Sequence, residues 1–294
     1  MNPFLKRLGF GPQDRVVIIH ADDIATCHAA NAAFAELWAA GAVSSAALIV
    51  PGPWFGAAAA FCRDTPAVDM GVHLALNAEF ATCRWGPLST RDPASGLLDK
   101  QGYLHATVAA TLALADPEAV ARELHAQVAQ ALAAGIDVTH IDAHMFTAAH
   151  PPFFAAYLAV ALEHRLPLFF PGLAELDRFA GDDPEQRESF QQRVQQLEQH
   201  GLPVFDATTF LPLGLEPHGV DVALRLIDSL RPGLTMLILH PLHDTPEARA
   251  LTPDWPSRVS NYQTCLSQEL REHIQRSGVQ LIGYRALRDA MRGA

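Results

Sequence analysis

Arg15-Val16-Val17-Ile18-Ile19-His20-Ala21-Asp22-Asp23 drives a run of β-branched residues into two adjacent carboxylates. An apolar run of this kind reads as a strand buried on both faces, as in a parallel sheet covered by helices. Two neighbouring acids at its end repel each other and lose hydration unless a cation stands between them or one holds a proton. A metal ion meets that need. Asp is also a good N-cap, so the pair could instead start the next helix. The stretch alone leaves both open.

Working outward, strand-like and helix-like segments alternate along the chain. The strands are expected at Val16–Ala21, Val43–Val50, Val68–Leu76, Val138–Ala143, Leu166–Phe170, Leu202–Ala207, Leu234–His240 and Val279–Tyr284. The helices are expected at Asn31–Ala40, Trp54–Arg63, Pro117–Ala134, Pro152–His164, Pro184–His200, Val220–Leu230 and Cys265–Ser277. Such alternation predicts a parallel sheet with helices on its faces. Seven or eight units over this length suggest a (β/α) barrel with a strand irregular or missing; an open doubly wound sheet is the alternative. No repeat or linker divides residues 1–294, so one domain is expected. Two long insertions, Asn77–Ala115 and Pro241–Ser260, follow strands and so belong at the C-terminal face, where barrel active sites lie.

With 294 residues and 49% apolar content, the chain can bury a barrel-sized core. Its net charge of −11 argues against nucleic acid or an anionic membrane as partner, and leaves a neutral small molecule open. Cys27, Cys62, Cys83 and Cys265 show neither CxxC pairing nor zinc-ribbon spacing, which fits a reducing compartment such as the cytoplasm. No apolar segment follows Lys6 and Arg7 as a signal peptide requires, and no apolar run reaches the ~18 residues of a membrane span.

Four expected strand ends carry polar residues: Asp22 and Asp23, His73, His140-Ile141-Asp142-Ala143-His144, and His240-Pro241. A lone His such as His73 is more often a hydrogen-bonded core residue than a ligand. In His-x-Asp-x-His, however, the alternating residues share one face, which cannot be ordinary core. His144, last in that strand, is best placed to reach the mouth. His140 and Asp142 lie deeper and would orient ligands by hydrogen bonds. His240 could cap a turn or serve as an acid–base group. One carboxylate with two imidazoles leaves a metal with open positions, as catalytic sites do. Zinc suits such donors; magnesium with retained waters is less usual on imidazoles.

Taken together, these residues resemble the YdjC-like, or ChbG/HpnK, carbohydrate deacetylase family. The resemblance rests on Ala21-Asp22-Asp23, Val43-Ser44-Ser45-Ala46 leading to Pro53-Trp54-Phe55, Gly71-Val72-His73-Leu74, Thr139-His140-Ile141-Asp142-Ala143-His144, His240-Pro241 and Leu281-Ile282-Gly283-Tyr284-Arg285. It implies a deformed, polysaccharide-deacetylase-like (β/α) barrel that removes acetyl groups from N-acetylated sugars with one divalent metal, Zn2+ or Mg2+. The family pattern carries the metal to Asp23, His73 and His144, and the base to Asp22. The chain departs from the family at Ile24-Ala25, where an aromatic or Leu and then Gly are usual. It departs again at Ala75-Leu76-Asn77 and at Met145-Phe146-Thr147-Ala148, where many members have a further His-x-His.

The expected chemistry has the metal activating water and polarising the amide carbonyl. Asp22 would take the water's proton and His240 would protonate the leaving amine. Trp85, in the first insertion, would anchor the lid or stack on a sugar ring. Two rivals are another metal-dependent amide or ester hydrolase on the same barrel, and a non-catalytic sugar-binding protein. The expected partner is an acetylated sugar, with a homodimer as the assembly to be considered.

Overall fold

The computed structural model describes residues 1–214 and 219–293. Its strands are β1 (Arg15–Ile24), β2 (Ser45–Leu48), β3 (Met70–Leu74), β4 (Val138–Ala143), β5 (Ala207–Phe210), β6 (Gly233–Leu239) and β7 (Gln280–Leu281). The sheet order is β4-β3-β2-β1-β6-β5, every pair is parallel, and β7 joins the start of β1 at Val16 and Val17. The regular ladder does not close. Among the described residues, only the parallel bridges Ile141↔Leu168 and Pro171↔Phe205 cross the gap between β4 and β5. The fold is a deformed (β/α) barrel.

The expected strand Leu166–Phe170 survives only as these bridges. Pro167 lies within it and Pro171 follows it, and neither has an N–H to give a ladder. The expected strand Leu202–Ala207, which contains Pro203, forms later in the chain, where Ala207–Phe210 pairs with Thr235–Ile238 of β6. The final strand is short. The chain turns at Gly283 into the helix Tyr284–Arg292, whose Tyr284 and Leu287 are buried one turn apart. The insertion after β6 is largely helical, with Pro246–Leu251 capped by Thr245 and then Trp255–Leu266. The first insertion also ends in a helix, Val108–Leu114.

Side-chain alternation sorts the strands into an outer and an inner face. Val17, Ile19 and Ala21 of β1, with Leu237 and Leu239 of β6, pack outward under the helices. Val16 and Ile18, with Leu234, Met236 and Ile238, pack inward beside Phe169, Phe205 and Tyr284. Each inner row then turns polar toward the strand's C-terminal end. In β1 the row runs Val16, Ile18, His20, Asp22; from β6 it continues past Ile238 to His240. The apolar half forms the floor, and the polar half stands where parallel strands bring their ends together. Among the described residues no helix is long and apolar enough to cross a membrane.

Candidate metal centre

In a regular strand Asp22 and Asp23 would face opposite sides of the sheet. Here the β1–β2 register advances from Ala21↔Ala46 to Ile24↔Leu48, three residues against two, a bulge that contains both acids. Asp23 takes φ +62 within it. Both carboxylates therefore approach His73: its Nε2 lies 3.6 Å from Asp23 Oδ1 and 3.9 Å from Asp22 Oδ2. His144 Nδ1 stands 3.2 Å from the same Asp23 Oδ1. Donor atoms of Asp23, His73 and His144 all lie within 4.8 Å of one another, and the three side chains are buried.

Metal bonds of about 2.0–2.2 Å around a tetrahedral ion place neighbouring donors about 3.4 Å apart. The spacings of 3.2 and 3.6 Å fit that figure. Asp23 Oδ1 is buried and accepts no hydrogen bond. Such an orphaned oxygen is costly unless something fills the point it faces. A divalent cation suits that point, and the donor set of one carboxylate and two imidazoles suits zinc better than magnesium.

The surrounding groups hold each donor in one orientation. His73 and Asp142 are register partners across β3 and β4, and His73 Nδ1 is 2.5 Å from Asp142 Oδ1. The proton on Nδ1 leaves Nε2 free to face Asp23. Asp142 Oδ2 accepts from His20 Nε2 at 2.9 Å, and that nitrogen is also 3.1 Å from Asp22 Oδ1. His144 Nε2 lies 2.9 Å from Glu79 Oε2, which leaves Nδ1 for the cluster. Arg258 Nη1 donates to the far oxygen of Asp23, Oδ2, at 2.7 Å.

Electrostatics follow from this network. Burial opposes charge on Asp23, but His144, Arg258 and His240 beside it hold the carboxyl well below its usual range. Burial likewise disfavours an imidazolium at His144, yet Glu79 and Asp23 prevail and raise its pKa to about 10. At His20 burial is outweighed by Asp142 and Asp22, which lift the pKa to about 9. His73 is raised against its burial by Asp142 and Asp22. His240 is the opposite case: burial lowers it, only partly offset by Asp23 and Asp22. Its Nε2 is 3.8 Å from Asp22 Oδ2.

One expectation changes, and one pair of alternatives is narrowed. His140 touches none of the three donors. Its Nδ1 pairs with Thr139 Oγ1 at 2.9 Å, its ring stacks on Tyr284 at 3.7 Å, and its edge meets His20. The close approach of β3 at Gly71 explains this, since a Cβ there would lie 2.3 Å from the imidazole. Of the pair expected to orient ligands, Asp142 bonds His73 directly and His140 touches this network only at His20. Trp85 is buried against Phe80 and His144, so it anchors the lid and offers no exposed face to a ring.

Comparison with known proteins gives the chain's family. The family model for YdjC-like protein matches residues 16–276. A carbohydrate deacetylase of Thermus thermophilus is 33% identical over 98% of this chain and 98% of its own length. The chain belongs to the YdjC-like family. A second relative, a carbohydrate deacetylase of Geobacillus stearothermophilus, is 27% identical over 92% of this chain and 97% of its own. A solved structure from Enterococcus faecalis, provisionally described as a cellobiose-phosphate cleavage protein, superposes with TM-score 0.77 at 22% identity, covering 93% of this chain and 99% of that one. That likeness concerns the fold.

Three members of this YdjC-like site were not singled out from sequence. His20 had a signal, because it precedes Asp22 by two positions and so shares its face. Glu79 and Arg258 lie in the two insertions, and nothing in their local sequence ties them to His144 or Asp23. The departure at Ala25 also has a structural counterpart. Ala25 holds φ +75, a conformation that costs a non-glycine residue roughly 1–2 kcal/mol. Met145 and Phe146, which replace the family's further histidines, are left-handed as well, at φ +52 and +60.

Proposed function

We propose that this chain is a divalent-metal-dependent hydrolase that removes the acetyl group from N-acetylated sugars, acting on a C–N bond other than a peptide bond. The observation that carries it is the buried, unpartnered Asp23 Oδ1 facing His73 Nε2 and His144 Nδ1, with Asp22 at the same mouth. Relatives named as carbohydrate deacetylases over nearly the whole chain support the sugar amide as substrate.

In this scheme Asp23, His73 and His144 hold the ion, which when bound supplies Lewis acidity toward the amide carbonyl and the attacking water. Asp22 is the general base. Its Oδ1 is held by His20, and its Oδ2 faces His73 and His240 at the mouth, where it can accept the water's proton. His20 and Asp142 keep that carboxylate aimed. The leaving amine needs a proton, because its anion is a very poor leaving group. His240 starts neutral, its basicity depressed by burial. It therefore acts as a relay, taking the proton from Asp22 across the short gap between them and delivering it to the amine. Its backbone N–H is held by Asn261 Oδ1 at 3.1 Å, which fixes where the ring starts. The four cysteines are free thiols, which supports a cytoplasmic site of action.

The experiment is elemental analysis of the purified protein combined with acetate release from N-acetylglucosamine and its oligomers. We expect about one zinc per chain, loss of acetate release on chelation and its return on adding metal. A metal-loaded protein that releases no acetate from any acetylated sugar, yet hydrolyses simple amides or esters, would assign it to a different hydrolase class.

A further inference from the structure

A cavity of about 240 Å³ opens beside the candidate centre, and Asp22, His73, Asp142 and His240 form its polar edge. The rest of its wall is apolar. Phe146, Phe169, Phe179, Phe210, Met236 and Ile238 line it, and none of these side chains carries a nitrogen or oxygen. Phe169, Met236 and Ile238 are buried, so the cavity reaches down to the barrel floor. Phe146 belongs to the left-handed pair that follows His144, so a strained backbone sets one wall. Strain of that kind persists only where the surroundings enforce it, and it marks sites of function.

Sugar hydroxyls do not suit this space. Each one buried against aromatic and aliphatic carbon without a partner weakens binding by roughly tenfold or more. The apolar part of an N-acylated sugar is its acyl group, which is also the part bonded to the reacting carbonyl. An acetyl methyl leaves most of the cavity empty. A cavity of about 150 Å³ already accommodates a benzene ring.

We propose that this cavity is an acyl pocket, and that the chain's preferred substrates carry an N-acyl group larger than acetyl, of about six carbons or a phenyl ring, on an amino sugar. This rests on the deacetylase scheme above: the same water attacks the same carbonyl, the C–N bond breaks, the amine leaves with one proton, and the released carboxylic acid is longer. The sugar stays at the open mouth, where its hydroxyls keep their water.

The test compares N-acetyl-, N-butyryl-, N-hexanoyl- and N-benzoyl-glucosamine with the metal-loaded protein. Burial contributes about fourfold per methylene at most, so kcat/KM for the hexanoyl compound should exceed that for the acetyl compound by about tenfold or more. Phe179→Ala and Phe210→Asn change half-buried rim residues and should fold. They should erase the advantage of the longer chain, lowering kcat/KM for the hexanoyl compound far more than for the acetyl compound. Competition by hexanoate and benzoate against acetate, followed as displacement of a metal-bound chromophore, reads the same pocket without turnover. Acetyl cleaved as well as hexanoyl, with hexanoate binding no tighter than acetate, overturns the acyl pocket and leaves the deacetylase intact. Cleavage of none of the four, with hexanoate still preferred in competition, overturns the sugar and keeps the pocket.

Discussion

Asp142 divides its two carboxylate oxygens between His73 and His20, and so orients a candidate ligand and the partner of the candidate base at once. Replacing it should therefore be felt in both metal binding and turnover. Asp142→Asn is expected to weaken metal affinity by about 10–100-fold, the usual effect of losing a group that orients a liganding histidine. His140→Asn should weaken it much less, because His140 reaches the centre only through His20. Metal competition with a chromogenic chelator measures both, and equal losses would show that His140 matters in a way its contacts do not explain. Asp22→Asn should keep the metal and lose about 10²–10⁴-fold in turnover, since a neutral amide cannot take the water's proton. Wild-type turnover in that variant would remove Asp22 from the chemistry. At this scale the sequence was readable where a strand imposed its period. His-x-Asp-x-His and His20-x-Asp22 lie on alternate positions, and alternation is a local rule. Glu79 and Arg258 meet their partners across 65 and 235 positions of chain, and no local rule predicts such a meeting.

Strand β1 shows how an element serves the site. Its first half is regular and pairs with β6 residue for residue from Arg15 to Ala21. Its last residues form the bulge that turns Asp22 and Asp23 to one mouth, and the left-handed Ala25 completes the exit. The carbonyl of Ala25 abuts Gly52, where an added Cβ would come within 2.5 Å, so the exit has little room to relax. Ala25→Gly should change stability by less than about 1 kcal/mol. Relief of roughly 1–2 kcal/mol of strain offsets roughly 0.5–1 kcal/mol of glycine entropy and about 0.8 kcal/mol of lost methyl burial. Ala25→Val should cost more than about 2 kcal/mol, because a β-branched residue is an outlier at that φ. Urea denaturation of the two variants decides it, and a Val variant as stable as the native protein would mean that the exit does adjust. The elements easiest to read from sequence were β1, with its β-branched run, β6, with its apolar run, and β4, with its alternating His and Asp. The strands between Pro167 and Ala207 were not, although the helix at Pro184–Gln199 was, because prolines break the ladder there and tertiary pairing decides where it resumes.

On the scale of the whole molecule the site is an excess of acids placed around histidines, in a chain that is itself acidic at −11. Asp22, Asp23, Glu79 and Asp142 raise His73 and hold His144 at about 10, against the burial of both rings. Without metal, His144 therefore binds a proton throughout the neutral range, and His73 holds one to higher pH than a free imidazole does. A metal needs the neutral rings, so it must displace those protons. The sign follows directly. Falling pH adds competing protons and weakens metal binding, and rising pH strengthens it until the pKa near 10 is passed. Each proton displaced changes the metal binding constant about tenfold per pH unit, so one to two protons correspond to roughly 10²–10⁴-fold between pH 6 and 8. Calorimetry of zinc binding in two buffers with different ionisation enthalpies counts the protons, with one to two expected per metal at pH 7. In His144→Ala the release should fall by one, together with the affinity. Zinc that binds tightly at pH 7 with no proton released would show that both rings are already neutral, and that the surrounding carboxylates, rather than the imidazoles, hold the protons of the metal-free site.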